Sequence, residues 1–130
     1  MATIFTKIIA GEIPCYKIAE DENFLAFLDI NPLAIGHTLV IPKKEINYIF
    51  TIEDNLYVSL HLFSKKIAIA LEKAIPCKRI GIAVIGLEVP HAHIHLIPLQ
   101  TVHDINFSRE KMTVSKEILE ESAAKIKAFL

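Results

Sequence analysis

The chain has 130 residues, of which 52% are hydrophobic and 22% are charged, so it has enough apolar material for a core and disorder is excluded. The formal net charge is −1 and no run of lysine or arginine exceeds two residues, which excludes the usual binders of duplex nucleic acid or charged membranes. The N-terminus lacks the apolar core of a signal peptide, and no stretch approaches the ~20 apolar residues of a membrane span. Cys15 and Cys77 are isolated, as is typical of reduced thiols. We predict a single cytoplasmic domain, 1–130, without a membrane or nucleic acid duplex as partner.

The first half of the chain consists of short apolar runs separated by turn residues. "TIFTKIIAGEIP" predicts a helix from Ile4 to Ala10 that Gly11 ends. "YKIAEDENFLAFLD" predicts two strands joined by a polar turn at 20–23. "INPLAIGH" predicts a loop, and "HTLVIPK" predicts a third strand that Pro42 closes.

The second half begins with the longest helical pattern. Thr51 with Asp54 or Glu53 predicts its N-cap and acidic first turn, and Pro76 predicts its end. "RIGIAVIG" and "HAHIHLIPL" then predict two buried strands with a short connection. The helix has one apolar face, which contains Leu56, Leu60, Phe63, Ile67, Leu71 and Ala74.

A second amphipathic helix is predicted from Thr113 to Phe129. Strands and helices do not alternate regularly, and the connections between strands are short. Together these features predict an α+β domain, in which helices pack on an antiparallel sheet. The predicted apolar side of this last helix contains Ile118, Leu119, Ala123, Ile126 and either Phe129 or Leu130.

The segment "PHAHIHLIPL" places His91, His93 and His95 at every second position. On a strand these side chains would share one face, and the apolar residues between them would face a core. An edge strand with solvated histidines is the structural alternative. Three imidazoles on one face indicate chemistry instead, because histidine changes its charge near neutral pH.

Two kinds of chemistry suit this arrangement. Histidines two apart on a strand can bind one zinc with a third ligand, but His91 and His95 start about 13 Å apart, so all three converge poorly. A neutral imidazole can instead attack phosphorus or an acyl centre, provided that a hydrogen bond fixes its other nitrogen. The flanking imidazoles would then supply protons and positive charge.

The chain resembles the histidine triad (HIT) family, whose signature His-φ-His-φ-His-φ-φ, with φ hydrophobic, matches "HAHIHLI". "IFTKIIAGEIPCYKIAEDENFLAFLDINPLAIGHTLVIPKKEI" is similar to the N-terminal block of the Hint-like branch. The resemblance covers about residues 4–99 and implies a HIT-like fold with about five antiparallel strands, a long central helix, a short N-terminal helix and a C-terminal helix. We therefore expect a family core over 1–100 and a C-terminal extension over 101–130, which carries no family motif.

The resemblance also implies a function. Family members bind purine nucleotides and hydrolyse or transfer a nucleoside monophosphate joined to a leaving group, as in an AMP phosphoramidate or a dinucleotide. His93 corresponds to the nucleophile that becomes transiently nucleotidylated, His95 to the residue that contacts the reacting phosphate, and His91 to a supporting residue. His37 corresponds to a fourth member of the cluster. No cofactor is expected, apart from any divalent ion that the substrate carries.

Nucleoside recognition is implied at "FLDI" and in the first helix. Asp29 corresponds to the carboxylate that accepts hydrogen bonds from the ribose hydroxyls, although from the residues alone it could equally be a turn aspartate. The family also implies a homodimer, which would pair through the long helix and the strand before the triad. The apolar positions that would enclose the base or sugar, and would otherwise be plain core, are Ile4, Phe5, Ile8, Phe27, Leu28 and Ile30.

The chain departs from the family pattern just before the triad, where many Hint proteins carry an asparagine and a Gly-Gln pair. Gly86 keeps the glycine, but Leu87 stands where the glutamine is expected and Ile85 where the asparagine is expected. Glu88 would repel a phosphate. His103 could supply a cationic group in its place.

Two alternatives stay open because of this departure. The first is a nucleotide-binding module with little or no catalytic turnover. The second is a zinc-binding protein that uses His37 together with two histidines of the triad.

Overall fold

The computed structural model describes residues 3–130, so the first two residues of the predicted domain lie outside the described part. Three helices and five strands form in this range, which confirms the predicted α+β fold. No helix in it is both long and apolar enough to cross a membrane. Two short 3-10 turns occupy Ile49–Thr51 and Val102–Ile105. The helices and strands are α1 (Ile4–Ile9), β1 (Lys17–Glu20), β2 (Phe24–Leu28), β3 (Thr38–Pro42), α2 (Asp54–Ala74), β4 (Arg79–Ala83), β5 (Ile94–Leu99) and α3 (Lys116–Lys127).

The five strands form one antiparallel sheet in the order β1-β2-β3-β5-β4. β5 therefore lies inside the sheet, between β3 and the edge strand β4. His95 pairs with Leu39 on β3 and with Ala83 on β4. Directly opposed residues project to the same face, so His95 and Leu39 share a face of the sheet.

The two faces of the sheet are covered by different helices. α2 and α3 cover one face, where Val40, Ile94 and Leu96 join the larger apolar core. On the other face Phe5 of α1 packs with Leu39 in a smaller cluster. Because side chains alternate along a strand, the histidine that shares a face with Leu39 lies on the α1 side.

The predicted apolar face of α2 is confirmed, since its residues are buried or pack against the larger core. The N-cap is Glu53, whose carboxylate accepts the backbone N–H of Asn55. The prediction of Thr51 in this role is wrong. Thr51 ends a 3-10 turn, and its hydroxyl donates to the Tyr48 carbonyl instead.

The two strands around the histidine motif differ from the prediction. β4 ends at Ala83 and is not buried, because it is an edge strand with one neighbour and Ile82 is 59% exposed. β5 begins only at Ile94, so His91 and His93 precede the strand. The backbone is nevertheless extended enough that Ala92 and Ile94 both reach the larger core, as predicted.

The C-terminal helix α3 is shorter than predicted at both ends. It packs on α2 and β1 through Leu119, Ala123 and Ile126, which follow helical spacing. Ile118 lies about 100° around the helix from Leu119 and is exposed, as are the last two residues of the chain.

Candidate active site

A cavity of about 560 Å³ lies between α1, the ends of β2 and β3, and the histidine segment. Three further stretches contribute to its wall, namely residues 13–15 after α1, the loop at 85–89 before the triad and part of the segment that follows β5. All seven residues that the resemblance assigns to nucleoside binding lie in its lining, namely Ile4, Phe5, Ile8, Phe27, Leu28, Asp29 and Ile30.

Helix α1 forms one wall of the cavity. Thr3 caps its N-terminus, with the side-chain oxygen 3.1 Å from the backbone N–H of Thr6. The cap sets the direction of α1 so that Phe5 points inward, edge-on to Phe27 and His93 at ring-centroid distances of 5.7 and 5.0 Å. A short helix that would be marginal alone is thus fixed by its cap and by aromatic packing.

His91 is fully buried and does not line the cavity. Its Nε2 lies 2.7 Å from the Pro42 carbonyl oxygen, and its Nδ1 lies 3.5 Å from Thr3 Oγ1. Because a carbonyl only accepts, Nε2 carries the proton and donates. The ring ties the histidine segment to the end of β3, a position that suits the supporting role implied by the resemblance.

His93 has one nitrogen fixed and one left for chemistry. Its Nδ1–H donates to the His91 carbonyl oxygen at 2.8 Å, so in the neutral ring Nε2 carries the lone pair. The ring lines the cavity. Burial lowers the pKa of His93, while the hydrogen bond to the His91 carbonyl acts in the opposite direction. His93 therefore meets the requirements for a neutral nitrogen nucleophile.

His37 and His95 form a directed chain of hydrogen bonds. The backbone N–H of Leu33 donates to His37 Nδ1 at 3.0 Å, so the proton of the neutral His37 ring is on Nε2. That Nε2–H donates to His95 Nδ1 at 2.9 Å, which leaves the proton of His95 on its own Nε2. His95 lines the cavity, and its ring centroid lies 4.8 Å from that of His93. It therefore supplies an N–H donor close to His93.

Both histidines of this chain are uncharged near neutral pH. Burial, with the nearby positive charges of Lys111 and His93, lowers the pKa of His37 to about 4. Burial, with His93, His37 and Lys111, lowers the pKa of His95 to about 3. The expectation that a flanking imidazole provides positive charge is therefore wrong for His95, although the rings of His37 and His95 each keep an N–H that can donate.

Asp29 lies at the end of β2, where the chain turns into the loop that leads to His37. One carboxylate oxygen accepts the backbone N–H of Asn31 at 2.9 Å. The other lies 3.7 Å from His37 Nε2, beyond hydrogen-bonding distance. Burial raises the pKa of Asp29, and the Asn31 N–H and the positive charge of Lys111 act against that shift.

Asp29, His37 and His95 together offer a set of metal-binding atoms. One atom each from Asp29, His37 and His95 lies within 4.8 Å of the other two. This set differs from the predicted one, because it contains only one histidine of the triad. Two of these ligand atoms, His37 Nε2 and His95 Nδ1, are already hydrogen-bonded to each other, so a metal would have to replace that hydrogen bond.

Among the lining residues that sequence reasoning did not assign to the site are two in the segment after β5. Phe107 packs edge-on against His95 with ring centroids 4.7 Å apart, and Lys111 lines the cavity. A single aromatic residue and a single lysine in an irregular segment carry no periodicity or motif that could have identified them. His103 is exposed and outside the lining, so the suggestion that it supplies the cationic group is wrong.

The loop before the triad lies at the mouth of the cavity. Leu87, at the position where the glutamine is expected, is 88% exposed at the rim. Glu88 also borders the cavity, and its negative charge acts against the lowering of the His93 pKa that burial causes. The side chains of this wall therefore offer a carboxylate but no side-chain amide to a bound phosphate.

Comparisons with known proteins agree with this geometry. Residues 10–102 match the HIT domain family. A crystal structure of a HIT-like protein from Bartonella henselae superimposes with a TM-score of 0.85 at 35% identity, covering 98% of this chain and 96% of that one. A zinc-bound histidine triad family protein from Mycobacterium smegmatis gives a TM-score of 0.81 at 30% identity, covering 99% and 93%. The adenosine 5'-monophosphoramidase hnt1 of Schizosaccharomyces pombe is 39% identical over 100 residues, which is 75% of this chain and 74% of hnt1.

The family match covers most of the chain, and the solved structures share its fold. The chain belongs to the HIT family.

Proposed function

We propose that this protein hydrolyses or transfers a nucleoside monophosphate, which it takes from a P–N or P–O linkage through a covalent intermediate on His93. The observation that carries the proposal is the hydrogen bonding of His93, whose ring lines the cavity and whose Nδ1 is held by the His91 carbonyl, which leaves the lone pair on Nε2. A relative named as an adenosine 5'-monophosphoramidase supports the class of reaction.

The purine nucleoside would occupy the apolar part of the cavity. Phe5 and Phe27 supply flat surfaces there, which a purine ring would desolvate on binding. Asp29, at the end of β2, has one oxygen without a hydrogen bond from the described residues, and this oxygen would accept the ribose hydroxyls. These placements bring the phosphoryl group toward His93 and His95.

In the first step His93 Nε2 forms a bond to phosphorus, and the bond from phosphorus to the leaving group breaks. The leaving group departs with the electron pair and takes up a proton. The positive charge that develops on the His93 ring is stabilised through Nδ1–H by the His91 carbonyl, and His95 Nε2–H donates to a phosphoryl oxygen. Water then attacks phosphorus and releases a proton to solvent, which balances the proton taken up by the leaving group. The bond from phosphorus to His93 Nε2 breaks, and the nucleotide leaves with neutral His93 restored.

The direct test is rapid mixing with an AMP phosphoramidate, followed by a quench and measurement of the intact protein mass. The parent protein should gain the mass of one nucleotidyl group, and His93→Ala should gain none and should lose turnover. His103→Ala, at an exposed position outside the cavity, is the matched control and should behave like the parent. Turnover by His93→Ala at a tenth of the parent rate or more would remove His93 as the nucleophile.

The replacement of the expected glutamine by Leu87 favours a second candidate, a binding module without turnover. In that case AMP would bind with a measurable affinity, but neither adduct nor product would form. The same mixing experiment therefore separates the two functions.

A resident zinc is the third candidate, favoured by the close approach of Asp29, His37 and His95. We propose that catalysis needs no resident metal, because the hydrogen bond between the two imidazoles already orients them. Chelator treatment should then leave the rate unchanged, apart from any divalent ion that the substrate carries. About one zinc per chain, lost together with activity, would contradict this.

We also propose that the protein is a homodimer and is cytoplasmic. The dimer is supported by exposed apolar residues along one stripe of α2, Val58, Leu62 and Ile69, and by Ile82 on the unpaired edge strand β4. Light scattering on the parent protein should give twice the chain mass, and Leu62→Asp should give the mass of one chain. The cytoplasmic location rests on the composition and on the two unpaired cysteines.

A further inference from the structure

The cavity contains little positive charge for a site that would bind a phosphate. Three side chains with ordinary formal charges line it, the carboxylates Asp29 and Glu88 and the ammonium of Lys111. His37 and His95 add no positive charge near neutral pH, because burial lowers the pKa of His37 to about 4 and of His95 to about 3. Among the lysine and arginine side chains of residues 3–130, only Lys111 lines the cavity in which an anionic phosphoryl group would bind.

The segment that carries Lys111 is held firmly on the loop between β2 and β3. On one side of Lys111 the Arg109 guanidinium donates to the Leu33 carbonyl, and on the other the Met112 backbone N–H donates to the Pro32 carbonyl at 2.8 Å. The same loop residue Leu33 donates its N–H to His37. The segment and the histidine chain are therefore fixed to one another through a shared loop.

Aromatic packing adds a second attachment. Phe107 lies edge-on to both His95 and His37, with ring centroids 4.7 and 6.2 Å away. Phe107 and Lys111, at the two ends of this stretch, both line the cavity.

The Lys111 ammonium is available to a ligand. Within residues 3–130 it forms no ion pair with a carboxylate, unlike Arg109, which pairs with Asp104 at 3.5 Å. An unpaired lysine beside a site for an anion raises the local concentration of that anion and forms charge-assisted hydrogen bonds with it.

We propose that Lys111 binds the phosphoryl group of the substrate, so that the C-terminal segment supplies the positive charge that the histidine motif lacks. This inference rests on the proposed nucleotide site and adds a phosphate-binding residue to it. Lys111 would also compensate for the missing asparagine and glutamine side chains, which are expected at the positions of Ile85 and Leu87. Selectivity for a phosphorylated ligand over the free nucleoside would then come from outside the triad.

The test compares the binding of AMP and adenosine by calorimetry at low and high salt. Lys111→Gln should weaken AMP binding about tenfold, as loss of a hydrogen bond to a charged group does, and should leave adenosine binding unchanged. Lys111→Arg should keep most of the AMP affinity, because it keeps the charge. The parent's preference for AMP should shrink as salt rises, and that of Lys111→Gln should change less.

Lys116→Gln is the matched control, since it removes the same charge from an exposed position on α3 outside the cavity. It should bind AMP like the parent. Lys111→Met serves as a second variant, and unchanged unfolding curves would show that neither replacement acts through stability.

The outcomes separate this inference from the proposed function. A parent that turns over substrate, with AMP affinity unchanged in Lys111→Gln, would overturn the role of Lys111 and leave the function intact. A parent without turnover whose AMP preference disappears in Lys111→Gln would support Lys111 and overturn the enzymatic proposal. Equal losses for AMP and adenosine would overturn the phosphate role, and a parent that binds no AMP would overturn both.

Discussion

At the scale of single residues, the chemistry depends on which nitrogen of each imidazole carries the proton. Backbone groups decide this in all four cases, directly or through one intermediate ring. The His91 carbonyl fixes the proton of His93 on Nδ1, and the Pro42 carbonyl fixes that of His91 on Nε2. The Leu33 N–H fixes the proton of His37 on Nε2, and His37 in turn fixes that of His95 on Nε2. Because backbone groups cannot change between donor and acceptor, the arrangement has one consistent pattern of protons.

The role of Asp29 in ribose recognition can be tested with one substitution. Asp29→Asn should weaken AMP binding by about 1.5–3 kcal/mol for each hydrogen bond lost to the charged acceptor, and should weaken 2′-deoxy-AMP binding less. Calorimetric titration of both ligands measures the difference. Glu88→Gln, the other carboxylate in the lining, is the control and should not discriminate between the two sugars. Equal losses for both ligands in Asp29→Asn would exclude a ribose contact.

The acid side of the rate profile reports on His93. Burial lowers the pKa of His93, so kcat/KM should fall with an apparent pKa at or below ~6.5, the ordinary histidine value. Glu88 has the opposite influence, since its negative charge raises the pKa of His93. Glu88→Gln should therefore move the acid limb to lower pH, and Glu117→Gln, on the surface of α3, should not move it. An acid limb with an apparent pKa clearly above ~6.5, or no acid limb at any pH at which the protein stays folded, would contradict catalysis by a histidine nucleophile.

At the scale of elements, the site depends on how the chain enters β3. Gly36 has φ +94°, and a Cβ there would lie 2.9 Å from Ile75 Cγ1 and 3.2 Å from Leu71 Cδ1. The backbone can approach the end of α2 this closely only without a side chain. That close approach places His37, the next residue, against His95.

Gly36→Ala should consequently destabilise the protein and reduce activity. A left-handed conformation costs a non-glycine residue about 1–2 kcal/mol, and the contact with Ile75 adds to that cost. Gly11→Ala is the matched control, because Gly11 has φ +81° but no atom within 4 Å of its added Cβ. Urea unfolding should show a clearly larger loss at Gly36 than at Gly11. If the two losses are the same, Gly36 is required for its conformation alone and not for the close approach.

At the scale of the whole molecule, the buried histidines link stability to pH. The pKa of His37 is lowered to about 4 and that of His95 to about 3, so these rings stay neutral in the folded state while the unfolded chain takes up protons below ~6.5. Stability from this source is complete above pH ~6.5 and is lost as the pH falls toward 4. The raised pKa of Asp29 acts in the opposite sense at the acid end of this range.

The free energy of unfolding should therefore decrease below pH 6.5, with a slope of about 1.4 kcal/mol per pH unit for each proton that only the unfolded chain binds. Urea unfolding at pH 7, 6, 5 and 4 measures the slope. His37→Gln should make the decrease shallower, because the variant lacks one of the buried rings. Equal stability at pH 7 and pH 5 would contradict the conclusion that burial keeps His37 and His95 neutral in the folded protein.

Much of the fold was predictable because its signals are local. Apolar spacing identified α2 and its packed face, Gly11 and Pro42 marked where α1 and β3 end, and alternation placed Ala92 and Ile94 toward the core. The predictions that were wrong concern features that depend on which elements pack beside a segment in the folded chain. A run such as "RIGIAVIG" has the composition of a buried strand, and only the order of strands in the sheet leaves β4 at the edge.

The site divides in the same way. By themselves, the residues at 90–99 determined that a histidine cluster exists and that one ring could act as a nucleophile, because a period of two puts side chains on one side. The match to a known family pattern then placed Asp29, His37 and the apolar wall. Only the tertiary structure decided the charges, since the lowered pKa values of His37 and His95 come from burial by distant parts of the chain. It also brought Phe107 and Lys111 to the cavity, which no local pattern could do, because their positions depend on hydrogen bonds to a loop more than 70 residues earlier.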